Sequence, residues 1–151
     1  RTMTAAAASG PQITVGDDSR ITRTGKVLRQ YKLDELPQLI NVIRGDMSLV
    51  GPRPETPDYV TLYPSDERRE IFTIRPGITD EAAIEFRNES EILGRVPDPL
   101  LYYVDVILPR KRMLYLQYVR HRSFVGDIVI IWRTILAIFD RSRPNYEHAA
   151  R

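Results

Sequence analysis

Asp34 and Glu35 are adjacent carboxylates, and further along Arg53 stands between Pro52 and Pro54. The two prolines fix their own φ angles and restrict the residues before them, so the backbone around Arg53 is stiff. An arginine on a rigid loop is a poor core residue and a good phosphate clamp, because its planar fork binds two oxygens at once. The acidic pair has an ordinary explanation as well: carboxylates suit the N-terminal end of a helix, where the dipole and unpaired N–H groups favour negative charge.

The stretch that must position the pair is 32–46. Leu33, Leu36, Leu39, Ile40 and Ile43 recur at three- and four-residue steps, which predicts a helix with one apolar stripe. Asp34, Gln38 and Asn41 fall at the same steps on another face. The acidic pair is expected in the first turn, where Pro37 is tolerated. Arg44 complements the C-terminal end, and Gly45 is placed to take a left-handed cap.

Leu33-Asp34-Glu35-Leu36-Pro37-Gln38-Leu39 is followed by Gly45-Asp46-Met47-Ser48-Leu49-Val50-Gly51-Pro52-Arg53-Pro54. Together these closely resemble the core signature of bacterial sugar transferases, the monotopic phosphoglycosyl transferases. The match is long and nearly unbroken, and a weaker resemblance runs from Arg1 to about Phe139. It implies a mixed α/β fold, predominantly helical with short strands, in a single membrane-associated catalytic domain over residues 1–151: a loop over 1–19, a core over 20–139 and a polar tail over 140–151. Arg1-Thr2-Met3 resembles the end of a longer family motif that follows a hydrophobic membrane hairpin, so the chain is expected to be part of a longer protein.

Composition agrees with one globular domain: 151 residues, 42% hydrophobic and 28% charged, with no cysteine. A disulfide scaffold and a thiolate metal site are excluded. The net charge of +2 is unevenly spread. Residues 45–99 hold twelve acidic against six basic side chains, and residues 109–143 hold eight basic against two acidic. An acidic middle beside a basic, apolar C-terminal third suggests a molecule oriented toward an anionic surface. Nucleic acid is not expected as a partner, because no recognition motif accompanies the basic third.

Residues 4–19 read as a loop and 21–30 as a short helix carrying Arg23, Lys26 and Arg29, with Arg20 just before it. Residues 58–72 read as helix interrupted at Pro64-Ser65. Arg75-Pro76-Gly77-Ile78-Thr79 reads as a turn, and Ala83-Ile84-Glu85-Phe86 alternates as a short strand would. Asp98 is a helix cap between Pro97 and Pro99, and Pro109 is expected to open the next helix, 110–120. The last helix, 127–139, is too short to span a bilayer. It is apolar nearly all round, so core and membrane interface are both open, with Trp132 and Arg133 suited to the interface.

The resemblance implies roles for named residues. Asp34 would be the nucleophile that attacks the phosphate next to the sugar of a nucleoside-diphosphate sugar, expected to be a UDP-sugar, and Glu35 would help hold Mg²⁺. Arg53, Arg75, Thr79 and Arg87 would contact the substrate phosphates. The acceptor would be a polyprenyl phosphate such as undecaprenyl phosphate, met at the cytoplasmic face of the bacterial inner membrane, where exposed apolar surface would also favour a homo-oligomer. After Thr79 the family's usual Gly-Leu/Trp-Ala-Gln-Val-Asn-Gly-Arg-Asn gives way to Asp80-Glu81-Ala82-Ala83-Ile84-Glu85-Phe86-Arg87-Asn88. Arg87-Asn88 keeps its place, while the Gln and Gly positions do not, so sugar and nucleotide choice do not transfer from the family. The competing reading is a non-catalytic membrane-surface scaffold derived from such an enzyme.

Overall fold

The computed structural model describes Ile13 and residues 22–30, 35–53 and 55–139. The expectations for Asp34, for most of the 1–19 loop, for Arg20 and for the 140–151 tail lie outside those residues, as do the side chains of Lys26 and Arg29. Helix α1 (Arg23–Gln30) comes first, followed by α2 (Gln38–Arg44), strand β1 (Ser48–Val50), α3 (Pro57–Val60) and α4 (Ser65–Ile71). Strand β2 (Gly77–Thr79), α5 (Glu81–Glu85), α6 (Glu89–Leu93) and α7 (Pro99–Tyr102) follow, and then α8 (Leu108–His121) and α9 (Phe124–Phe139). The predominantly helical expectation with short strands holds.

Helix α2 starts later than its apolar period suggests. Its N-cap is Pro37, and no acidic residue lies in its first turn. Glu35 sits one turn earlier in a tight turn that closes through Leu39 N–H on the Leu36 carbonyl, 3.0 Å. The cause is Pro37, which disfavours the α conformation at Leu36 and so moves the helix start past itself. Gly45 does take the left-handed cap, at φ 83°, its N–H bonding back to the Val42 carbonyl.

Strands β1 and β2 pair in parallel, with Ser48 opposite Gly77 and Val50 opposite Thr79. The Pro-Gly turn signal at 76–77 thus begins a strand. Gly51 and Gly77 meet backbone to backbone: a Cβ on Gly77 would lie 2.1 Å from the Gly51 nitrogen. Gly77→Ala is therefore expected to force the strands apart and cost at least about 3 kcal/mol, read as a lowered midpoint in urea denaturation; an unchanged midpoint would contradict this packing.

The segment expected as a strand at 83–86 is helix α5 and its C-terminal end. Asp80 caps it, accepting from Ala83 N–H at 2.6 Å, and that cap outweighs the weak alternation. Asp98 caps α7 in the same way, through Leu101 N–H at 3.0 Å. Pro109 stands in the first turn of α8, as expected, but no break precedes that helix. The chain runs from α7 through a π-helical segment, Tyr103–Ile107, directly into α8. A proline N cannot donate and its ring crowds the carbonyl four residues back; the wider i→i+5 turn just before Pro109 relieves this without breaking the rod.

The core lies between this long rod and the short helices. Tyr59, Tyr63, Ile71, Ala82, Leu93, Tyr103, Ile107, Leu108, Tyr115 and Leu116 are buried together. Helix α9 packs against both strands and against α5. Ile130 is buried, and the Tyr118 hydroxyl, on α8, lies 2.8 Å from Asp127 Oδ1 on α9 and 3.2 Å from the Val50 carbonyl on β1.

Candidate active site

The turn before α2 and the loop after β1 bring Glu35 and Arg53 together. Arg53 Nη1 lies 2.7 Å from Glu35 Oε1, with the Glu35 side chain 13% exposed and that of Arg53 39% exposed. Burial works against the Arg53 charge, but the Glu35 carboxylate outweighs it, so the guanidinium pKa stands above its ordinary value. Glu35 directly follows Asp34 in the chain, and the pair with Arg53 fixes the arginine's fork on that one member of the acidic pair.

Arg53 is also held by its backbone. Its N–H donates to Asp80 Oδ2 at 2.9 Å, while Asp80 Oδ1 takes the α5 cap. Asp80 is 1% exposed, and burial pushes its carboxyl up from the usual range against the pull of the two N–H donors. Under the same loop lies a buried polar cluster centred on Glu55. Glu55 Oε2 accepts from the Tyr103 hydroxyl at 2.8 Å, and Oε1 accepts from Lys111 Nζ at 3.1 Å and the Tyr115 hydroxyl at 3.3 Å. Lys111 Nζ also reaches Glu89 Oε2 at 2.7 Å. Burial would lower the Lys111 pKa, yet Glu89 and Glu55 together raise it above its ordinary value. Lys111→Met would strand two carboxylates in a mostly buried site. It is expected to destabilise the fold by about 3–5 kcal/mol, measurable as a shift in urea midpoint; stability equal to the parent would show that the cluster carries no such role.

The other expected site residues are placed elsewhere. Arg75 is exposed and lies over Gly45 at the far end of α2, where an added Cβ would stand 3.7 Å from Arg75 Nη1. Thr79 is buried, its hydroxyl 2.7 Å from that of Thr134 on α9. Arg87 Nη1 donates to the Ala137 carbonyl at 3.2 Å, serving a last-turn carbonyl of α9. Arg53 and Glu35 therefore meet directly, Arg75 flanks α2 from the other end, and Thr79 and Arg87 tie β2 and the end of α5 to α9. Arg23 of α1 is exposed.

Comparison with known proteins is decisive about the family. The family model described as bacterial sugar transferase matches residues 1–141. The chain belongs to the bacterial sugar transferase family. Among curated relatives, it is 40% identical over 131 residues to the exopolysaccharide production protein ExoY of Sinorhizobium fredii, covering 86% of this chain and 50% of that protein. It is 36% identical over 131 residues to the UDP-glucose:undecaprenyl-phosphate glucose-1-phosphate transferase of Caulobacter vibrioides, covering 83% of this chain and 45% of that protein. It is 34% identical to the UDP-N-acetylgalactosamine-undecaprenyl-phosphate N-acetylgalactosaminephosphotransferase of Aeromonas hydrophila, covering 85% of this chain and 28% of that one. The chain thus spans half or less of the length of these relatives.

The hold of Asp80 on the Arg53 amide and the Glu55–Lys111 pair are contacts that sequence reasoning passed over. Asp80 was legible as a cap: an aspartate three residues before Ala83 at the head of Glu81-Ala82-Ala83 fits the N-cap preference. Glu55 and Lys111 carry no local signal, since their pairing joins positions 56 residues apart.

Proposed function

We propose that this chain is the catalytic part of a phosphoglycosyl transferase. It moves a phosphosugar from a nucleoside-diphosphate sugar, a UDP-sugar in the first instance, to a polyprenyl phosphate. The observation that supports the reading is the 2.7 Å pair between Glu35 and Arg53, two residues of the family signature, one suited to a metal and one to phosphate. The activities named for the Caulobacter and Aeromonas relatives support the chemical class of donor and acceptor.

In the proposed reaction an Asp34 carboxylate oxygen attacks the phosphorus that bears the sugar. The bond from that phosphorus to the bridging oxygen breaks, and a nucleoside monophosphate leaves. A phosphate oxygen of the polyprenyl acceptor then attacks the same phosphorus. The acyl phosphate bond breaks, Asp34 regains its carboxylate, and a polyprenyl diphosphosugar forms. Arg53 binds phosphoryl oxygens and holds the donor in line. Thr79 and Arg87 act from behind by fastening α9 to β2 and α5.

The residues fit Mg²⁺. Among the described residues no group of three or more acidic or histidine side chains is gathered as a metal cage. Mg²⁺ keeps waters and takes one or two carboxylates together with substrate phosphates. Glu35, whose Oε1 lies 2.7 Å from Arg53 Nη1, would be the carboxylate that helps hold the ion. When bound, the ion would neutralise diphosphate charge that otherwise repels an anionic nucleophile.

The acceptor's home is a bilayer, and the chain has surface suited to it. On α9, Val125, Ile128, Val129, Trp132, Ile135, Leu136 and Phe139 form a stripe at helical spacing that is exposed, Trp132 by 61%. The opposite side of α9 packs on the protein through Ile130 and Thr134. Leu39, Ile40 and Ile43 of α2 are exposed too, Ile43 by 87%. No helix among the described residues is long and apolar enough to cross a membrane. We assign these stripes to a membrane surface at headgroup depth. Ile128→Ser with Trp132→Ser, both on the open face, should reduce cosedimentation with anionic vesicles at least severalfold without lowering thermal stability. Binding equal to the parent would place the membrane contact elsewhere.

The reading is tested by incubating membranes that contain the protein with a panel of nucleoside-diphosphate sugars and a polyprenyl phosphate. Label from the sugar phosphate is expected in the lipid fraction with at least one donor.

A further inference from the structure

Between Gly51 and Glu55 the loop reads Pro52-Arg53-Pro54. Neither proline has an N–H, so the Arg53 amide is the one backbone donor of this tripeptide. Just before it, the loop is anchored to the sheet by Gly51 N–H on the Thr79 carbonyl at 3.0 Å and by Gly77 N–H on the Pro52 carbonyl at 3.1 Å. Asp80, the residue after β2, then takes the Arg53 N–H through Oδ2 at 2.9 Å. Its other oxygen accepts Ala83 N–H at 2.6 Å and so fixes the carboxylate to the head of α5. At 1% exposure Asp80 has no room to swing away. Arg53 is thereby held at two points, by Asp80 at the amide and by Glu35 at the guanidinium.

We propose that Asp80 is a positioning residue for Arg53: its carboxylate fixes the Pro-Arg-Pro loop against α5 so that the guanidinium points at the bound diphosphate. The inference rests on the phosphate-binding role proposed for Arg53. It applies the charge-assisted bond from Asp80 to the only amide the loop offers, which is stronger and shorter than a neutral one. Aiming an arginine fork needs its backbone fixed, since small errors of position at a phosphate clamp cost rate heavily.

Two substitutions separate the cap from the positioning bond. Asp80→Asn keeps an oxygen for the α5 cap but turns an NH₂ toward the Arg53 amide; Asp80→Ser keeps a good capping hydroxyl that is too short to reach Arg53. Each is expected to lower kcat/KM for the donor by about tenfold or more. In an Arg53→Ala background neither should lower it further, because the positioned group is gone. A purely structural role would instead give equal fold losses in both backgrounds, and that result would overturn the proposal. A second readout does not depend on turnover: ¹⁵N relaxation of the Arg53 Nε–H group in the protein without substrate. It should report an ordered guanidinium in the parent and a mobile one in both variants. Unchanged order in both variants overturns the positioning role even if the protein transfers nothing. A parent protein that transfers no label, with Arg53 loosened by both substitutions, overturns only the reading of function.

Discussion

Asp34→Asn is expected to lower phosphosugar transfer by several powers of ten with the fold intact. The amide is nearly isosteric with the carboxylate but cannot form an acyl phosphate, so the loss should equal removal of a covalent nucleophile, which in enzymes of this kind leaves only residual binding effects. Circular dichroism and thermal unfolding should match the parent. Transfer near the parent rate by a folded Asp34→Asn protein would remove Asp34 from the chemistry.

Glu35→Gln should be the second largest loss, and the structure gives it two separable causes. The carboxylate neutralises Arg53 at 2.7 Å, and it is also the group proposed to face Mg²⁺. A charge-assisted pair becomes a neutral hydrogen bond in the variant, which weakens Arg53's orientation, and a metal ligand is lost. If the metal role dominates, the Mg²⁺ concentration for half-maximal transfer rises and high Mg²⁺ restores part of the rate. A variant that loses rate while titrating with Mg²⁺ as the parent does would leave Glu35 as Arg53's partner alone. Full activity of Glu35→Gln would contradict both roles.

Much of the helical layout is readable in the sequence because it depends on local signals. Gly45 caps α2, Asp98 caps α7, and α4 begins at Ser65 directly after Pro64. The start of α2 is misread because its apolar period runs through Leu33 and Leu36, while the conformational limit set by Pro37 acts on the residue before it. The segment after Thr79 is misread as a strand because alternation over four residues is weak, and a capping aspartate decides more. The rod from Pro99 to His121 is divided at Pro109 by a rule for α-helices, whereas the chain widens to a π turn there. Helix α9 is read as either core or interface, and the structure gives it one face of each kind, Ile130 inward and Trp132 outward.

At the site, sequence reasoning reaches Glu35 and Arg53 because both lie inside one unbroken signature. It stops short of their supports. Asp80 is 27 residues from Arg53, and Lys111 is 56 residues from Glu55, so neither contact leaves a trace in local spacing. Thr79 and Arg87 were singled out by resemblance, and in the fold their polar groups turn to α9. The stretch where the chain departs from the family's usual pattern begins at Asp80, and that departure supplies both the α5 cap and the anchor of the Arg53 amide.

The most direct test of the central claim uses a nucleoside-diphosphate sugar labelled in the phosphate next to the sugar, given to membranes containing the protein. Without acceptor, label should become bound to the protein through an acid-stable, hydroxylamine-sensitive acyl phosphate, and it should pass to the lipid fraction when polyprenyl phosphate is added. Asp34→Asn should show neither. Transfer of label to lipid by the Asp34→Asn protein, or lipid labelling by the parent with no protein-bound label under rapid quenching, would contradict a covalent intermediate on Asp34.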